Sequence, residues 1–221
     1  MSKAKRLFLI LGDQLDLQSA ALKDFNPQLD EILMVESAKE SDYVWTHKAK
    51  IALFLSAMRH FALALRDLNY PLTYIKESPL SIVDALKAHL TQNKISHLVC
   101  IEPGEWRLKT AIEELSVELD LQLDMREDDH FFCTHQEFIA WAHGKKELRL
   151  EYFYRLMRKT HKILVDAEGN PEGGQWNFDQ DNRKPYPKKG PGLIDGPLAF
   201  PPDEMTQEVL QFVEKAYPKH P

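Results

Sequence analysis

The chain has 221 residues, of which 43% are hydrophobic and 28% are charged, and its formal net charge is -6. These proportions are typical of globular proteins, and no apolar run approaches the roughly 20 residues that a membrane-spanning helix needs. The negative charge argues against a protein that binds nucleic acid through overall positive charge. With only Cys100 and Cys133 there is no disulfide framework, and no signal-peptide cleavage motif follows the first apolar run, so we expect a cytoplasmic protein.

Apolar runs alternate with helical spacings over the first part of the chain. The patterns predict strands over 6–11, 31–35, 72–75, 97–102 and 121–125, and helices over 47–68, 81–92 and 106–119. The long helix has the strongest signal, because apolar residues recur every three or four positions from Ile51 to Leu68. This alternation predicts an α/β fold with a Rossmann-like, mostly parallel five-stranded sheet and helices on both faces.

The pattern changes after about Arg126. Helices are predicted over 134–143, 151–163 and 205–217, and a long stretch rich in Gly, Pro and Asn predicts an extended linker before the last, short helix. We therefore expect three segments. Residues 1–145 would form the Rossmann-like domain, 146–202 a helix and an interdomain linker, and 203–221 the start of a further helical region.

Polar residues follow the predicted strands where their carboxyl ends should meet. They are Gly12, Asp13 and Gln14 after the first strand, Glu36 and Glu40 after the second, and Glu102 at the end of the strand over 97–102. In an open parallel sheet, ligands bind beyond these ends, where the strand order reverses. Carboxylate acceptors suit a neutral heterocycle or a polyol better than a phosphate, and no G-x-G-x-x-G or Walker motif occurs. Each acid taken alone is better explained as a carboxylate at the start of a helix, but their conjunction shifts the balance toward a binding site.

Other candidates are weaker. His130, Cys133 and His135 in "HFFCTHQ" lack the distant partner pair of a zinc site, and no nucleophile is paired with a base. We therefore assign no catalytic or metal-binding residue. Basic residues are concentrated from Lys145 to Lys162, and aromatic residues are interleaved with Arg and Lys over 151–178. Such a mixture could face nucleic acid, or its aromatic residues could belong to the core side of a helix.

Several motifs together resemble a known family. They are "LILGDQL", "HKAKIALFLSAMRHFA", "EPGEWR", "EYFYRLMRK" and "GGQWNFDQDNRKP", in this order from about residue 7 to 184. They closely resemble the deoxyribodipyrimidine photolyase-related family, which comprises the iron-sulfur bacterial cryptochromes and the prokaryotic (6-4) photolyases. The resemblance implies that residues 1–145 are an antenna domain for 6,7-dimethyl-8-ribityllumazine. It also implies that a helical half with FAD and a [4Fe-4S] cluster follows, and that the intact flavoprotein acts on UV-damaged DNA or senses blue light.

The resemblance also implies a set of chromophore-binding residues. By motif these are Gly12, Asp13, Gln14, Glu36, Glu40, Tyr43 and Ile51, with Glu102 at the border. The acids would accept hydrogen bonds from the ribityl hydroxyls and the ring N–H, and the apolar helix face would pack on the ring. Family members are much longer, so we expect this chain alone to be catalytically silent. We also expect it to bind lumazine weakly if the missing half helps to close the pocket.

Two other functions remain open from the residues. The chain could be a stand-alone α/β module that binds a flavin-like or nucleotide-like molecule. It could also be an interaction domain whose basic segment, from Lys145 to Lys189, docks on DNA or on a partner protein. Salt-sensitive DNA binding would favour the last of these functions.

Overall fold

The computed structural model describes residues 5–179, 185–190, 192–193 and 196–221. In this part the strands are β1 Arg6–Leu9, β2 Glu31–Ser37, β3 Leu72–Ser78, β4 His97–Ile101 and β5 Gln122–Arg126. The helices are α1 Ala38–Tyr43, α2 Lys48–Asp67, α3 Ile82–Asn93, α4 Trp106–Glu118, α5 His135–Ala142, α6 Leu150–His161 and α7 Glu204–Ala216. The end of the motif "GGQWNFDQDNRKP", from 180 to 184, and residues 191, 194 and 195 of the expected linker lie outside the described residues.

The strands form one parallel five-stranded sheet with the order β3-β2-β1-β4-β5. The central strand, β1, places Leu7 beside Glu31 of β2 and beside Leu98 of β4. The chain builds outward from β1 to β3 and then crosses back to β4. The strand order therefore reverses between the carboxyl ends of β1 and β4, which is where such sheets bind ligands.

Alternate residues of the central strand enter two different cores, because successive side chains of a strand point to opposite faces. Phe8 and Ile10 pack in a core with α2 and α7. Leu7 and Leu9 pack in the other core, with α3 and α4. The predicted Rossmann-like sheet with helices on both faces is confirmed.

Helix α2 follows directly from its apolar stripe. Its buried residues include Ile51, Leu55, Met58 and Leu65, at helical spacing, and the predicted bounds of 47–68 differ from the observed ones by one residue at each end. His47 caps the helix by accepting a hydrogen bond from the Ala49 N–H. Helix α1 was not predicted, because none of its six residues is buried and it therefore carries no apolar pattern.

Helix α7 packs on α2 and completes the first core. Val209 and Val213 are 0% and 2% exposed in this core. The described contacts divide the chain into two compact units, Met1–Asp129 with Pro201–Pro221, and His130–Phe200. Thus α7 belongs to the same unit as the sheet. The functional segment boundaries at 145 and 202 remain predictions.

The second unit, His130–Phe200, contains α5 and α6. A capping box begins α5, in which Thr134 and Glu137 exchange hydrogen bonds. Phe138 and Trp141 of this helix pack on Phe153 of α6, with ring centroids 5.3 and 4.9 Å away. Aromatic packing thus gives this unit a small core of its own.

Candidate small-molecule site

A cavity of about 310 Å³ opens where the strand order reverses. Three chain segments at the carboxyl edge of the sheet line it: 11–13 after β1, 35–37 at the end of β2, and 103–105 after β4. The first turns of α2 supply the facing wall, through Lys50, Ile51, Phe54, Leu55 and Met58. The volume lies at the lower end of the range for small-molecule sites, about 300–1,000 Å³.

Gly12 allows α2 to approach the end of the sheet closely. A Cβ atom at this position would lie 2.9 Å from Met58 Sδ and 3.6 Å from Phe54 Cδ1. Real Cβ atoms do not come so near another heavy atom, so a side chain here would push Met58 aside. Glycine therefore keeps the apolar wall of the cavity in contact with the backbone of the strand end.

Glu36 lines the cavity, but its carboxylate is already bonded within the protein. Arg59 donates from Nε and Nη2 to the two carboxylate oxygens at 2.8 and 3.0 Å. The Tyr74 hydroxyl donates to Oε1 at 2.5 Å, and the Glu77 N–H donates to Oε2 at 3.2 Å. Because the group is buried, these donors compensate a charge that water cannot reach. Glu36 thus shapes the site as part of an ion pair.

The same pair changes the acidity of its neighbours. The hydrogen bond to Glu36 raises the pKa of Arg59 above its ordinary value, against the opposing effect of burial. Burial, followed by the bond to Glu36, raises the pKa of Tyr74. These shifts favour the charged form of Arg59 and the protonated, hydrogen-bond-donating form of Tyr74.

Glu40 is also paired, at the rim of the cavity. Arg107 Nη2 donates to Glu40 Oε2 at 2.5 Å, and Arg107 Nε donates to Glu105 Oε1 at 2.8 Å. The guanidinium carbon lies 4.1 Å from the ring centroid of Tyr43. The hydrogen bonds to Glu105 and then to Glu40 raise the pKa of Arg107. This cluster joins α1 to the start of α4 across one edge of the opening.

Two charged groups of the cavity remain available to a ligand. Among the described residues, the carboxylate of Asp13 has no hydrogen-bond or ion-pair partner. The ammonium of Lys50 likewise has no acid partner in this part of the chain, although it lies 5.8 Å from the Phe54 ring centroid. Within the described part of the chain, the cavity thus offers an unpaired carboxylate and an unpaired ammonium group beside an apolar wall.

The sequence-predicted site residues divide into two groups. Gly12, Asp13, Glu36, Glu40 and Ile51 line the cavity. Gln14, Tyr43 and Glu102 do not: Gln14 Nε2 donates to the Glu102 backbone oxygen at 3.2 Å, and Glu102 pairs with Lys109 at 2.6 Å. Gln14 thereby ties the ends of β1 and β4 together beside the cavity.

Several lining residues on and near α2 were not named individually as site residues from the sequence, namely Thr46, Lys50, Phe54, Leu55 and Met58. The apolar stripe of α2 carried a signal for Phe54 and Met58, because they share the helix face of Ile51. Nothing in the sequence marked Lys50 or Thr46.

The described ranges contain neither a candidate metal centre nor a candidate membrane span. In these ranges no three His, Cys, Asp or Glu residues are grouped so that they could hold a metal ion. No helix of the same part is long and apolar enough to cross a bilayer.

A parallel sheet of order β3-β2-β1-β4-β5 defines a Rossmann-like α/β domain, and its ligand-sized cavity lies at the reversal point of the strand order. Residues 8–221 match the model of the family described as deoxyribodipyrimidine photo-lyase-related protein, and the chain belongs to this family. It is 39% identical over 219 residues to the (6-4) photolyase of Agrobacterium fabrum (strain C58 / ATCC 33970). That match covers 96% of this chain, which spans 42% of the length of the relative. The resemblance identified from the sequence motifs is confirmed.

Proposed function

We propose that this chain is the light-harvesting antenna domain of a photolyase-family flavoprotein and that its cavity binds 6,7-dimethyl-8-ribityllumazine. When bound, such a chromophore absorbs light and passes the excitation energy to a flavin. The observation that carries the proposal is the cavity at the strand-order reversal, which combines an apolar wall with a free carboxylate and a free ammonium group.

The lining residues fit a lumazine in chemical character. The wall formed by Ile51, Phe54 and Met58 offers apolar contact to a flat heterocycle. Asp13 can accept a hydrogen bond from a ribityl hydroxyl or a ring N–H, and Lys50 can donate one to a ring carbonyl. Glu36 and Glu40 serve differently, because their ion pairs hold the floor and the rim in place.

A rigid site suits an antenna. Energy transfer depends on the distance and orientation of the chromophore, so side chains that hold one geometry favour it. The Glu36–Arg59 pair and the Glu40–Arg107 pair each join a helix to another element at the border of the cavity. We infer that these ion pairs limit the freedom of a bound ring.

We further propose that the remainder of the intact protein carries FAD and a [4Fe-4S] cluster and acts on damaged DNA in the cytoplasm. The similarity to a (6-4) photolyase of which this chain spans 42% supports this division. The proposed overall function is light-dependent repair of (6-4) photoproducts, or blue-light sensing. No catalytic residue is assigned to this chain.

Titration with 6,7-dimethyl-8-ribityllumazine tests the proposal, followed by the absorption and fluorescence of the chromophore. The full-length protein should take it up in saturable, one-to-one fashion, and residues 1–221 alone should bind it more weakly if the rest of the protein closes the cavity. Riboflavin, FMN and AMP serve as competitors. Tighter binding of one of these would favour a flavin-like or nucleotide-like ligand instead, and no uptake of lumazine by the full-length protein would overturn the antenna assignment.

A further inference from the structure

The segment that follows α7, Tyr217–Pro221, reaches back to the loop between α1 and α2. His220 Nδ1 lies 2.7 Å from the Thr46 backbone oxygen, and His220 Nε2 lies 2.9 Å from Asp42 Oδ1. The Lys48 N–H donates to the Pro221 backbone oxygen at 2.8 Å. The imidazole is enclosed, since its side chain is only 10% exposed. One ring therefore joins α1, through Asp42, and the loop, through Thr46, to the segment after α7.

That loop forms part of the cavity wall. Val44 and Thr46 line the cavity, as does Ser41 just before the loop. Tyr43, Val44 and Trp45 are largely exposed, and α1 has no buried residue, so little apolar packing holds this stretch in place. The conformation of the loop consequently depends on its polar contacts, of which those to His220 bridge the greatest distance along the chain.

The position of His220 is itself set by α7. The His220 ring packs edge-on against Tyr217, with centroids 5.4 Å apart, and Tyr217 is buried in the core between the sheet, α2 and α7. The Thr46 backbone oxygen and the Asp42 carboxylate are both hydrogen-bond acceptors, and each lies within hydrogen-bond distance of one ring nitrogen of His220. Any displacement of α7 from α2 would therefore release the loop.

We propose that Tyr217, His220 and Pro221 together form a positioning element for the cavity, so that ligand binding and the seating of α7 on α2 are coupled. This inference rests on the proposed function in that the cavity must bind a small molecule. By linkage, a ligand that prefers the held loop strengthens the attachment of α7 by the same factor by which that attachment strengthens binding. The affinity of the cavity for its ligand would therefore change whenever the attachment of α7 to α2 changes.

The first test is titration of the full-length protein with 6,7-dimethyl-8-ribityllumazine. His220→Ala should weaken binding about tenfold, within the usual range of coupling between sites. Asp42→Ala removes one of the two contacts and should have a smaller effect. Lys219→Ala is the matched control, because this exposed neighbour makes no hydrogen bond or ion pair with the loop among the described residues, and it should bind like the wild type.

Amide hydrogen exchange of α7 distinguishes the proposed coupling from a merely structural role of His220. Lumazine should slow amide exchange in α7 of the wild type and of Lys219→Ala, but not of His220→Ala, while β1 and β4 exchange alike in all unliganded forms. If His220→Ala speeds amide exchange in β1 and β4, Asp42→Ala takes its place in the comparison with the wild type. Equal affinity of the wild type and His220→Ala, or ligand-independent exchange of α7, would overturn the coupling alone. No uptake by the wild type would instead overturn the proposed function on which it rests.

Discussion

Arg59 of α2 donates two hydrogen bonds to the Glu36 carboxylate at the end of β2, and these side chains are 4% and 2% exposed. Tyr74 of β3 donates to the same carboxylate. One buried anion thus joins a helix and two strands at the floor of the cavity. The position of the α2 wall depends on this pair.

Replacement of Arg59 should therefore destabilise the protein severely. Arg59→Met leaves the Glu36 charge buried without its main partner, which typically costs about 3–5 kcal/mol of unfolding free energy. Lys87→Met is the control, since Lys87 pairs with Glu118 at the surface, where its side chain is 45% exposed and such pairs contribute about 1 kcal/mol or less. Urea unfolding measures both losses. Equal losses of unfolding free energy in the two variants would show that the buried pair contributes no more to stability than the surface pair.

A methyl group at Gly12 should narrow the cavity. Gly12→Ala forces Met58 away from the strand end, because the new Cβ would lie 2.9 Å from Met58 Sδ. We expect weaker uptake of lumazine, measured by its fluorescence in the same titration. Gly104→Ala is the matched control: it borders the same cavity, but its new Cβ would meet only Asp13 Oδ2, at 3.9 Å. If both variants bind alike, close approach at Gly12 does not govern the site.

The attachment of α7 should weaken as the pH rises. Asp203, followed by the Ser56 backbone oxygen, raises the pKa of His60, whose Nε2 lies 2.6 Å from Asp203 Oδ2. A histidine whose pKa is raised on folding contributes stability that is fully present below about pH 6.5, its unfolded value. This contribution is lost as the pH rises through the folded pKa. Because the His60 side chain is 44% exposed, we expect less than about 1 kcal/mol.

Asp203→Asn separates this charge effect from helix capping. Asn at the N-cap of α7 still accepts a hydrogen bond from the Thr206 N–H, but it cannot pair with a protonated His60. The difference in unfolding free energy between the wild type and Asp203→Asn should be greatest near pH 6 and should shrink toward pH 8.5, on either side of the ordinary histidine value of about 6.5. A difference that stays constant with pH would contradict the ion pair.

The two cysteines should differ sharply in reactivity. Cys100 of β4 is fully buried, and burial raises its pKa to about 12. Cys133 is only partly buried. A maleimide reagent near neutral pH should therefore modify Cys133 of the native chain and spare Cys100 until the protein is unfolded. Peptide mass mapping with and without urea measures this, and modification of native Cys100 would show that the sheet opens locally.

The sheet could be predicted from the sequence because its strands and main helices carry local apolar patterns. Strands β2 and β3 run on to Ser37 and Ser78, past the predicted ends, since their last residues are polar and are held by pairing. Helix α1 lay beyond prediction because its six residues bury nothing. Its start depends instead on Ser37, which accepts from the Glu40 N–H.

The candidate site was only partly predictable. Strand ends gave Gly12, Asp13 and Glu36, because the carboxyl ends of parallel strands share one edge of the sheet. The partners that occupy Glu36 and Glu40 could not be foreseen. Arg59 and Arg107 lie 23 and 67 residues away from these acids in the chain, so only the assembled fold brings them together.

The late position of α7 in the chain has a consequence for synthesis. Val209 and Val213 belong to a helix that packs on α2, which was made long before it, and both are buried in the same core as residues of α2. While the ribosome is still translating α3 to α6, the face of α2 that α7 later contacts has no cover and is open to chaperones or to other nascent chains. A translational pause or stop ahead of α7 should thus yield a product with exposed apolar surface that is prone to aggregate, even though every strand of the sheet is already present.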